Sequence, residues 1–550
     1  MSSPSTLVPV GDAVADLLVA SGVRRAYTVP GESFLPLLDA FARRPEIDVI
    51  STRHESGAAF MADADAKLTG RPAVVMATRG VGASNLAIGL HTARQDSTPM
   101  LALLGQVETQ NLGNEAFQEV DLPGFLNEVT SWSATVTRSD RVAQTVARAL
   151  ARTTMGRKGP SVVALPSDVL EGECEPHAPL LSGARGIAHP DDVLEAGRIL
   201  ALAQRPVIVA GQGSDHTVLQ DIAATYGTGV YAAFRRQDCF PNDDEHYLGH
   251  LTIGTPSTVL SALDQADVVL VVGERLDETT TQGYAFPRST ATVLHVHEDP
   301  AVLGVHQRAD LAIAADPTEF LVQLLAVAGD VRPTVGHAWW REGHDEYLRA
   351  VASAAARDQR GGLHPGQAID AVQSAADPST IVVNDAGNFS AYLHRQWVFR
   401  HPHSQAAPIS GAMGYAAPGA VGAGLALRGR PVLGVAGDGG FLMTSAEVET
   451  AVRLGVDIKM LILQNGLYGT IAMHQAASGL PVSASDISAV DIAALSRAMG
   501  ANALECDDET TLHDAAHELM KHEGPAVLVV KTDRDLIAPG RTLSGLTGAN

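Results

Sequence analysis

The segment Pro431-Val432-Leu433-Gly434-Val435-Ala436-Gly437-Asp438-Gly439-Gly440 decides the fold of this chain. Its apolar run, Pro431–Ala436, predicts a buried strand, and the glycines after it predict a turn that leads into a helix over Ser445–Leu454. A second apolar run, Ile458–Leu463, follows and ends at Gln464-Asn465. A strand, a helix and a second strand in this order form a βαβ unit, so we predict a parallel sheet covered by helices.

The same alternation of short apolar runs and longer amphipathic stretches continues through the chain. The runs that predict strands are Val74–Ala77, Leu101–Leu104, Ser161–Leu165, Val207–Ala210, Val268–Val272, Val293–His297, Ile381–Val383, Val432–Val435, Ile458–Leu463 and Ala526–Val530. The predicted fold class is α/β, with three doubly wound parallel-sheet domains. Gly- and Pro-containing stretches at Glu171–Pro190 and Gly329–Gly366 predict linkers, which gives domains at 1–170, 188–328 and 361–550.

Composition narrows the class of protein. The 550 residues carry a formal net charge of −23, which argues against a nucleic-acid partner, because such proteins usually have a basic patch. The three cysteines are far apart and odd in number, which favours a reducing compartment without disulfides. No signal peptide stands at the start and no apolar run reaches the roughly 20 residues of a membrane span. We therefore expect a cytoplasmic protein without a membrane partner.

The glycine turn around Asp438 predicts an anion site that includes a metal ion. Glycines allow backbone N–H groups to approach an anion, and the N-terminus of the following helix adds favourable partial charge. A carboxylate cannot bind a phosphate directly, but Mg²⁺ can bridge the two. Asn465, at the end of the next strand, can supply a second oxygen at the same edge of the sheet.

Gly437-Asp438-Gly439, followed by 24 residues and then Gln464-Asn465, resembles the thiamine diphosphate signature of the acetolactate synthase and pyruvate decarboxylase superfamily. The resemblance implies that Mg²⁺ is held by Asp438, Asn465 and the backbone carbonyl of Leu467. Gln464 departs from the Asn-Asn pair of the family but leaves the ligand position intact. The other cofactor contacts that the resemblance implies are Gly387, Asn388, Gly411, Met413, Gly439, Gly440 and Tyr468, with Met413 supporting the bent cofactor and the Gly411 carbonyl accepting from its amino group.

The N-terminal part of the chain carries the other half of the resemblance. Arg53-His54-Glu55-Ser56-Gly57-Ala58-Ala59 is similar to the family segment with the catalytic glutamate, which places Glu55 in that role. A buried carboxyl group can stay protonated and share its proton with a pyrimidine nitrogen. Because the two half-sites of this superfamily come from different subunits, the resemblance implies a homodimer or homotetramer with the active site at the subunit interface.

Three further segments resemble the acetolactate synthase branch. Val29–Phe34 opens the N-terminal unit as that branch does, and Ala116–Glu119 is similar to a loop whose Phe117 and Gln118 approach the reacting carbon. Gly273-Glu274-Arg275-Leu276-Asp277 resembles the segment whose arginine binds the carboxylate of the second substrate. A guanidinium suits that task, although a surface arginine is the alternative interpretation of Arg275.

Three departures, at His474, Arg79 and Ile253-Gly254-Thr255, weaken an assignment to that branch. His474 stands where the branch has a tryptophan, and Arg79 replaces a small polar residue before the loop Gly80–Asn85. Ile253-Gly254-Thr255 lacks the Met-His-Gly pattern of FAD contact, and Gly211-Gln212-Gly213 has two of the three glycines of a dinucleotide fingerprint. FAD therefore stays open as a cofactor, and we hypothesise that His474 and Arg79 select a different or larger 2-keto acid.

The implied activity is thiamine diphosphate- and Mg²⁺-dependent cleavage of a 2-keto acid, with transfer of the acyl carbanion to a proton or a second carbonyl. Such an enzyme is a lyase (decarboxylase) or a transferase (carboligase). The alternatives are an FAD-containing biosynthetic acetolactate synthase, a 2-hydroxyacyl or benzaldehyde lyase, and a catalytically silent binding protein of the same fold. The silent protein has no evident reason to keep Glu55, Asp438 and Asn465 together, and a nicotinamide dehydrogenase would need a complete glycine fingerprint.

Overall fold

The computed structural model describes residues 6–179, 185–213, 215–331, 338–354 and 362–548. These residues form three α/β units, each built on a six-stranded parallel sheet covered by helices, which confirms the predicted fold class. Parts of the predicted linkers, 180–184, 332–337 and 355–361, lie outside the described residues. Within the described ranges, no helix is both long and apolar enough to cross a lipid bilayer.

The N-terminal domain contains the first eight strands and seven α-helices. They are β1 (Val8–Pro9), α1 (Val10–Ala20), β2 (Arg25–Thr28), α2 (Leu35–Ala42), β3 (Asp48–Ser51), α3 (Glu55–Thr69), β4 (Ala73–Thr78), α4 (Arg79–Asp96), β5 (Met100–Gln106), α5 (Leu122–Leu126), β6 (Trp132–Thr135), α6 (Val142–Thr154), β7 (Pro160–Pro166), α7 (Ser167–Leu170) and β8 (Glu173–Cys174). The sheet order is β3-β2-β4-β5-β7-β6, and β1 pairs antiparallel with β8. The predicted loop after Arg79 is in fact the first part of helix α4.

The central domain follows with a sheet in the order β11-β10-β9-β12-β13-β14. Its elements are α8 (Pro190–Leu202), β9 (Pro206–Ala210), α9 (His216–Tyr226), β10 (Gly229–Ala232), β11 (Tyr247–His250), α10 (Ser257–Asp264), β12 (Val268–Val272), β13 (Thr292–His297), β14 (Leu311–Ala314), α11 (Pro317–Val331) and α12 (Trp340–Ala354). Helix α12 lies beyond the predicted range 188–328 but packs on β11 and α10.

The C-terminal domain has a sheet in the order β16-β15-β17-β18-β20-β19. Its elements are α13 (Pro365–Ala375), β15 (Ile381–Asn384), α14 (Phe389–Gln396), β16 (Gln405–Ala406), α15 (Ala416–Ala426), β17 (Val432–Gly437), α16 (Asp438–Thr444), α17 (Glu447–Leu454), β18 (Lys459–Gln464), α18 (Gly469–Ala477), α19 (Ile492–Ala498), β19 (Asn502–Cys506), α20 (Glu509–Lys521), β20 (Ala526–Lys531), β21 (Leu536–Ala538), β22 (Arg541–Thr542) and α21 (Leu543–Thr547). The predicted turn Asp438–Gly440 is instead the first turn of α16, because the Asp438 carboxylate at a helix N-terminus is electrostatically favourable there.

All three sheets share one topological feature, a pair of neighbouring strands between which the strand order reverses. These pairs are β2 and β4, β9 and β12, and β15 and β17. Loops that leave the carboxyl ends of such a pair diverge to opposite faces of the sheet and leave a crevice, where open α/β sheets bind ligands. The fold therefore offers three candidate crevices, one per domain.

The N-terminal and C-terminal domains share one hydrophobic core through the contact between α3 and α15. A Cβ added at Gly422 of α15 would lie 2.3 Å from the backbone oxygen of Met61 in α3. The rings of Phe60 and Tyr415 meet edge to face at 5.3 Å between centroids beside this contact. The two helices thus approach backbone to backbone, which only glycine permits at position 422.

We predict that Gly422→Ala lowers the free energy of unfolding by about 1–3 kcal/mol, because the new methyl group has to push α15 away from α3. Urea titration followed by tryptophan fluorescence measures the change. Gly329→Ala is the matched control, since a Cβ at this exposed position of α11 meets nothing within 4 Å. Equal stability of the Gly422 and Gly329 variants would contradict the proposed tight contact.

Candidate active site

The predicted metal ligands lie together at the carboxyl edge of the C-terminal sheet. Asp438 follows β17 and is 3% exposed, and one of its carboxylate oxygens, Oδ2, accepts from the Gly466 amide at 2.8 Å. The side-chain oxygen of Asn465 accepts from the Leu467 amide at 3.1 Å. Burial raises the pKa of Asp438, and the backbone amides that it accepts from oppose this rise. A nearby cation would compensate the buried negative charge.

This donor set fits Mg²⁺ in chemical type. It offers one carboxylate, one amide oxygen and a backbone carbonyl, which are all hard oxygen ligands. Across the described part of the chain, no three His, Cys, Asp or Glu side chains come together as a metal site. A single carboxylate suits a magnesium ion that takes its remaining ligands from phosphate oxygens and water.

Two glycines at the start of α16 allow the side chains that line this crevice to approach the backbone closely. A Cβ at Gly439 would lie 2.8 Å from the Tyr468 ring, and one at Gly440 would lie 2.7 Å from Oδ2 of Asp385. Asp385 follows β15, so it faces Gly440 across the crevice between β15 and β17. Both glycines are therefore explained by close approach of side chains that line the crevice.

Asp385 ties a third segment to this crevice. Its two carboxylate oxygens accept from the Gly414 amide at 2.9 and 3.0 Å, and complete burial raises its pKa to about 6. Gly414 directly follows Met413, which is half-buried, and Gly411 has a φ of +72°. The contact places the predicted cofactor-supporting segment beside the predicted diphosphate site.

Asn388 joins the same cluster through α18. Its side-chain oxygen accepts from the Thr470 hydroxyl at 2.9 Å, and its side-chain nitrogen lies 3.4 Å from the Met473 sulfur. Gly387 precedes it in the loop after β15. The structure therefore brings together most of the predicted cofactor residues of this domain. It adds Thr470, which the sequence did not indicate.

A buried ionic cluster fixes the segment that leads into Gly411 and Met413. The Lys67 ammonium contacts Asp96 and lies 2.9 Å from both Asp63 Oδ2 and the Ala407 carbonyl. The Tyr415 hydroxyl donates to Asp63 at 2.6 Å, and the Ile409 amide donates to Asp96 at 2.7 Å. Burial raises the pKa of Asp96, and Lys67 opposes the rise. Residues 407–415 are thereby held at both ends by charges on α3 and α4.

The N-terminal half-site is centred on Glu55, the first residue of α3. Glu55 is 8% exposed, and its Oε2 accepts from the Asn85 side chain at 2.9 Å. Its other oxygen would lie 3.3 Å from a Cβ at Gly82. Asn85 and Gly82 both belong to α4, so the glycine-containing motif after β4 positions the carboxyl group of Glu55.

Arg79, Phe117 and Gln118 meet at the same edge of this sheet. The Gly80 amide donates to the Gln118 carbonyl at 3.0 Å, and Arg79 Nη1 lies 3.3 Å from the Phe117 carbonyl. Gln118 has a φ of +64°, and the Phe117 side chain is 74% exposed. An aromatic side chain exposed to this extent has little packing against the described residues, which fits a role at a substrate or subunit contact.

Glu447 couples the two half-sites within one chain. This carboxylate of α17 is 1% exposed and accepts from the amides of Arg53 and His54, at 3.1 and 3.2 Å. Those amides directly precede Glu55 at the N-terminus of α3. Burial raises the pKa of Glu447, and its hydrogen bonds with Thr450 and the two amides oppose the rise. The sequence alone does not indicate Glu447, because Glu447 and Glu449 both resemble surface residues of an amphipathic helix.

Arg275 lies elsewhere, at the junction of the three domains. It donates to the Gln95 carbonyl at 2.7 Å, while Arg157 and Arg236 donate to the neighbouring carbonyls of Arg94 and Asp96 at 2.8 and 2.9 Å. These three carbonyls belong to the last residues of α4. Gln95, whose carbonyl binds Arg275, is about 24 Å from Arg79 along the helix axis. Burial and the neighbouring guanidinium groups lower the pKa of Arg157 to about 9.

The central-domain crevice beside Arg275 does not fit a flavin dinucleotide in this arrangement. The amides of Gly211 and Gln212 already donate to the carbonyls of Val272 and Gly273, at 2.8 and 3.0 Å. A Cβ at Gly273 would lie 2.0 Å from the Gln212 oxygen, so these glycines allow two loops to pack against each other. The remaining cavity has a volume of about 50 Å³. Sites for ligands of dinucleotide size enclose several hundred Å³.

His474 is exposed on α18, and no hydrogen bond of its side chain occurs among the described residues. Helix α21 packs on α18 from the C-terminal end of the chain. His474 thus lies on the helix that also carries Thr470 and Met473, the residues that contact Asn388.

Comparison with protein families identifies the class of protein to which this geometry belongs. The N-terminal TPP binding domain of thiamine pyrophosphate enzymes matches residues 8–125, the central domain of these enzymes matches 193–324, and their C-terminal TPP binding domain matches 385–530. The chain therefore belongs to the thiamine pyrophosphate enzyme family.

Curated relatives point to the acetolactate synthase branch of this family. The acetolactate synthase of Mycobacterium bovis is 29% identical over 529 residues, which cover 92% of this chain and 85% of the relative. The acetolactate synthase isozyme 1 large subunit of Escherichia coli is 26% identical, with 97% of each chain covered. The protein is a thiamine diphosphate-dependent enzyme similar to acetolactate synthase large subunits, as the sequence analysis predicted.

We predict that Glu447→Ala lowers the free energy of unfolding by about 2–4 kcal/mol, because it leaves two buried backbone amides without an acceptor. Chemical denaturation measures the loss. Glu449→Ala is the matched control, since its ion pair with Arg53 is partly exposed and is worth at most about 1 kcal/mol. Similar losses in the two variants would show that Glu447 does not anchor the start of α3.

Proposed function

We propose that this enzyme cleaves a 2-keto acid with thiamine diphosphate and Mg²⁺ and passes the acyl carbanion to a proton or to a second carbonyl. The observation that carries the proposal is the position of two sets of residues, each at a crevice where the order of strands reverses. Asp438 and Asn465 belong to one crevice, and Glu55 with its partner Asn85 belongs to the other. Both sets of residues are present together with the hydrogen bonds that orient them, which supports catalysis over a silent binding role.

The C-terminal crevice would hold the diphosphate end of the cofactor. Asp438, Asn465 and the Leu467 carbonyl are the proposed magnesium ligands, and Gly439 and Gly440 leave space because a larger residue would meet Tyr468 or Asp385. When bound, thiamine diphosphate supplies the carbon nucleophile and the electron sink that 2-keto acid cleavage requires. The protein contributes orientation, charge compensation and exclusion of water.

Glu55 is the proposed proton carrier for the pyrimidine end of the cofactor. Its carboxyl group is nearly buried, and Asn85 donates to Oε2, which leaves Oε1 beside Gly82 for a proton directed at a ring nitrogen. Asn85 fixes the orientation of the carboxyl group, and Glu447 fixes the start of the helix that carries it. A proton held in one direction is what general acid catalysis requires.

A second copy of the chain is the proposed partner of the N-terminal half-site. Val81, Asn85 and Ile88 share one face of α4, and the two apolar residues are 49% and 43% exposed. Met443, three residues after the crevice residue Gly440 in α16, is 53% exposed. Apolar side chains beside catalytic groups favour burial against another subunit, which supports a homodimer or homotetramer with a shared site.

We further propose that the reaction needs no flavin. The support is the occupied backbone amides and the small cavity of the central-domain crevice. A flavin-free site disfavours the alternative of an FAD-containing biosynthetic acetolactate synthase.

Release of CO₂ from a panel of 2-keto acids, with thiamine diphosphate and Mg²⁺ present, tests the function. We expect release from at least one acid and its loss on adding EDTA with restoration by Mg²⁺, because a bound Mg²⁺ would compensate the negative charges of Asp438 and of the diphosphate. Product analysis separates aldehyde from 2-hydroxyketone, and a visible spectrum of the purified protein tests for flavin. No release from any acid would reject the proposed function, and a bound flavin would reject the flavin-free form of it.

We predict that Glu55→Gln lowers kcat/KM by roughly 10²- to 10⁴-fold while thiamine diphosphate still binds, since the amide cannot supply the proton. Steady-state kinetics and calorimetric titration of the cofactor measure the two quantities. Glu46→Gln is the control, because Glu46 is exposed near the opposite edge of the same sheet, before β3. A Glu55→Gln enzyme with unchanged kcat/KM would remove Glu55 from the mechanism.

A further inference from the structure

Arg79 lies where the N-terminal sheet has its ligand crevice. It directly follows β4, while the loop with Glu32 follows β2, and the strand order reverses between these two strands. Asn85, which binds Glu55, lies six residues further along α4, about 9 Å along the helix axis. A cation in this place is within the reach of a substrate that reacts beside Glu55.

The Arg79 side chain is half-buried, with few strong partners among the described residues. It is 16% exposed, and its Nε has no hydrogen-bond partner among the described residues. Its Nη1 contact with the Phe117 carbonyl is long, at 3.3 Å, and its Nη2 lies 3.7 Å from Glu32, whose side chain is 73% exposed. A surface carboxylate at that distance contributes little, so the guanidinium keeps donor capacity for another acceptor.

The backbone also holds Arg79 in an uncommon conformation. Its φ is +43°, in the left-handed region that residues other than glycine, asparagine and aspartate rarely adopt. The neighbouring turn does not need the arginine side chain, because the Gly80 amide already binds the Gln118 carbonyl at 3.0 Å. A strained residue with an unfilled donor, in a crevice, favours a ligand-binding role over a structural one.

The chemistry of decarboxylation decides which anion suits this position. A guanidinium paired with the departing carboxylate would stabilise the ionised substrate more than a transition state that releases neutral CO₂. A second carboxylate, which keeps its charge throughout the reaction, is stabilised equally in the substrate and in the transition state. Pairing it with a guanidinium therefore does not raise the barrier. The guanidinium of arginine is planar, and its N–H donors can bind both oxygens of a carboxylate at once.

We propose that Arg79 binds a second carboxylate of the substrate, so that the preferred substrates are 2-keto acids with an additional acidic group. The inference rests on the proposed function and adds the substrate class to it. Arg79 acts as a specificity-determining residue, and the weak contact with Glu32 gives way when the substrate carboxylate arrives.

Two matched pairs of acids test the proposal. They are 2-oxoglutarate with 2-oxopentanoate, and 2-oxoadipate with 2-oxohexanoate, in which a terminal carboxylate replaces a methyl group. We expect the wild-type enzyme to prefer the diacid in at least one pair, and Arg79→Ser to lower the diacid-to-monoacid ratio of kcat/KM by about 10- to 100-fold. Arg79→Lys should recover the ratio only in part, since it restores charge but not the fork.

Arg71→Ser is the control variant, because Arg71 is exposed just before β4, at the opposite edge of the sheet. An unchanged ratio in Arg79→Ser, or a wild-type preference for the monoacid in both pairs, would overturn the proposal.

Binding of glutarate and adipate, followed by saturation-transfer NMR, separates this outcome from failure of the proposed function. If no acid releases CO₂, the proposed function fails. Diacid binding that is lost in Arg79→Ser but kept in Arg71→Ser would still support Arg79 as a carboxylate site, and equal binding by both variants would reject it.

Discussion

The close contact between α3 and α15 is the constraint on which the rest of the structure depends. Gly422 lets α15 approach the backbone of α3 at Met61, and Gly89 of α4 similarly makes room for Ala59 of α3. The first residue of α3 is Glu55, and α15 leads into β17 and Asp438. Because both helices are rigid rods, their mutual distance fixes how the N-terminal and C-terminal crevices are oriented within one chain.

Buried charges then determine the positions of the loops around this helix pair. Glu447 holds the amides before Glu55, Asp385 holds the amide after Met413, and Lys67 joins Asp63 to Asp96. Each of these groups loses hydration on burial, so each has to be paired, and pairing occurs across segments that are distant in sequence. The same polar contacts that satisfy buried charges thus set the geometry of the candidate site.

The central domain has the same sheet topology but uses its crevice differently. Its loops after β9 and β12 pack closely on each other at glycine residues. Arg275 and Arg236 bind the backbone carbonyls at the C-terminal end of α4. Positive side chains at a helix C-terminus are electrostatically favourable, so this arrangement stabilises α4 at the end opposite to Arg79. A topology shared by three domains therefore does not imply a shared ligand, because the side chains at each crevice decide what fits.

Local sequence was sufficient for the strands, the α/β class, and the segments around Asp438 and Glu55, because apolar runs and glycine turns act over a few neighbouring residues. It was insufficient for α16, where Asp438 starts a helix, and for the start of α4 at Arg79, since glycine-containing segments were interpreted as loops. It could not find Glu447, because a carboxylate on an amphipathic helix is buried only when another domain covers it.

The sequence by itself therefore determined the class of enzyme and predicted the residues of both candidate half-sites. Only the tertiary structure decided that Glu447 supports Glu55 and that Arg275 binds the end of α4. It also decided that Nε of Arg79 has no hydrogen-bond partner among the described residues. The physical reason is that burial and pairing of a charge depend on which distant segments pack around it, and a single chain segment does not encode its neighbours.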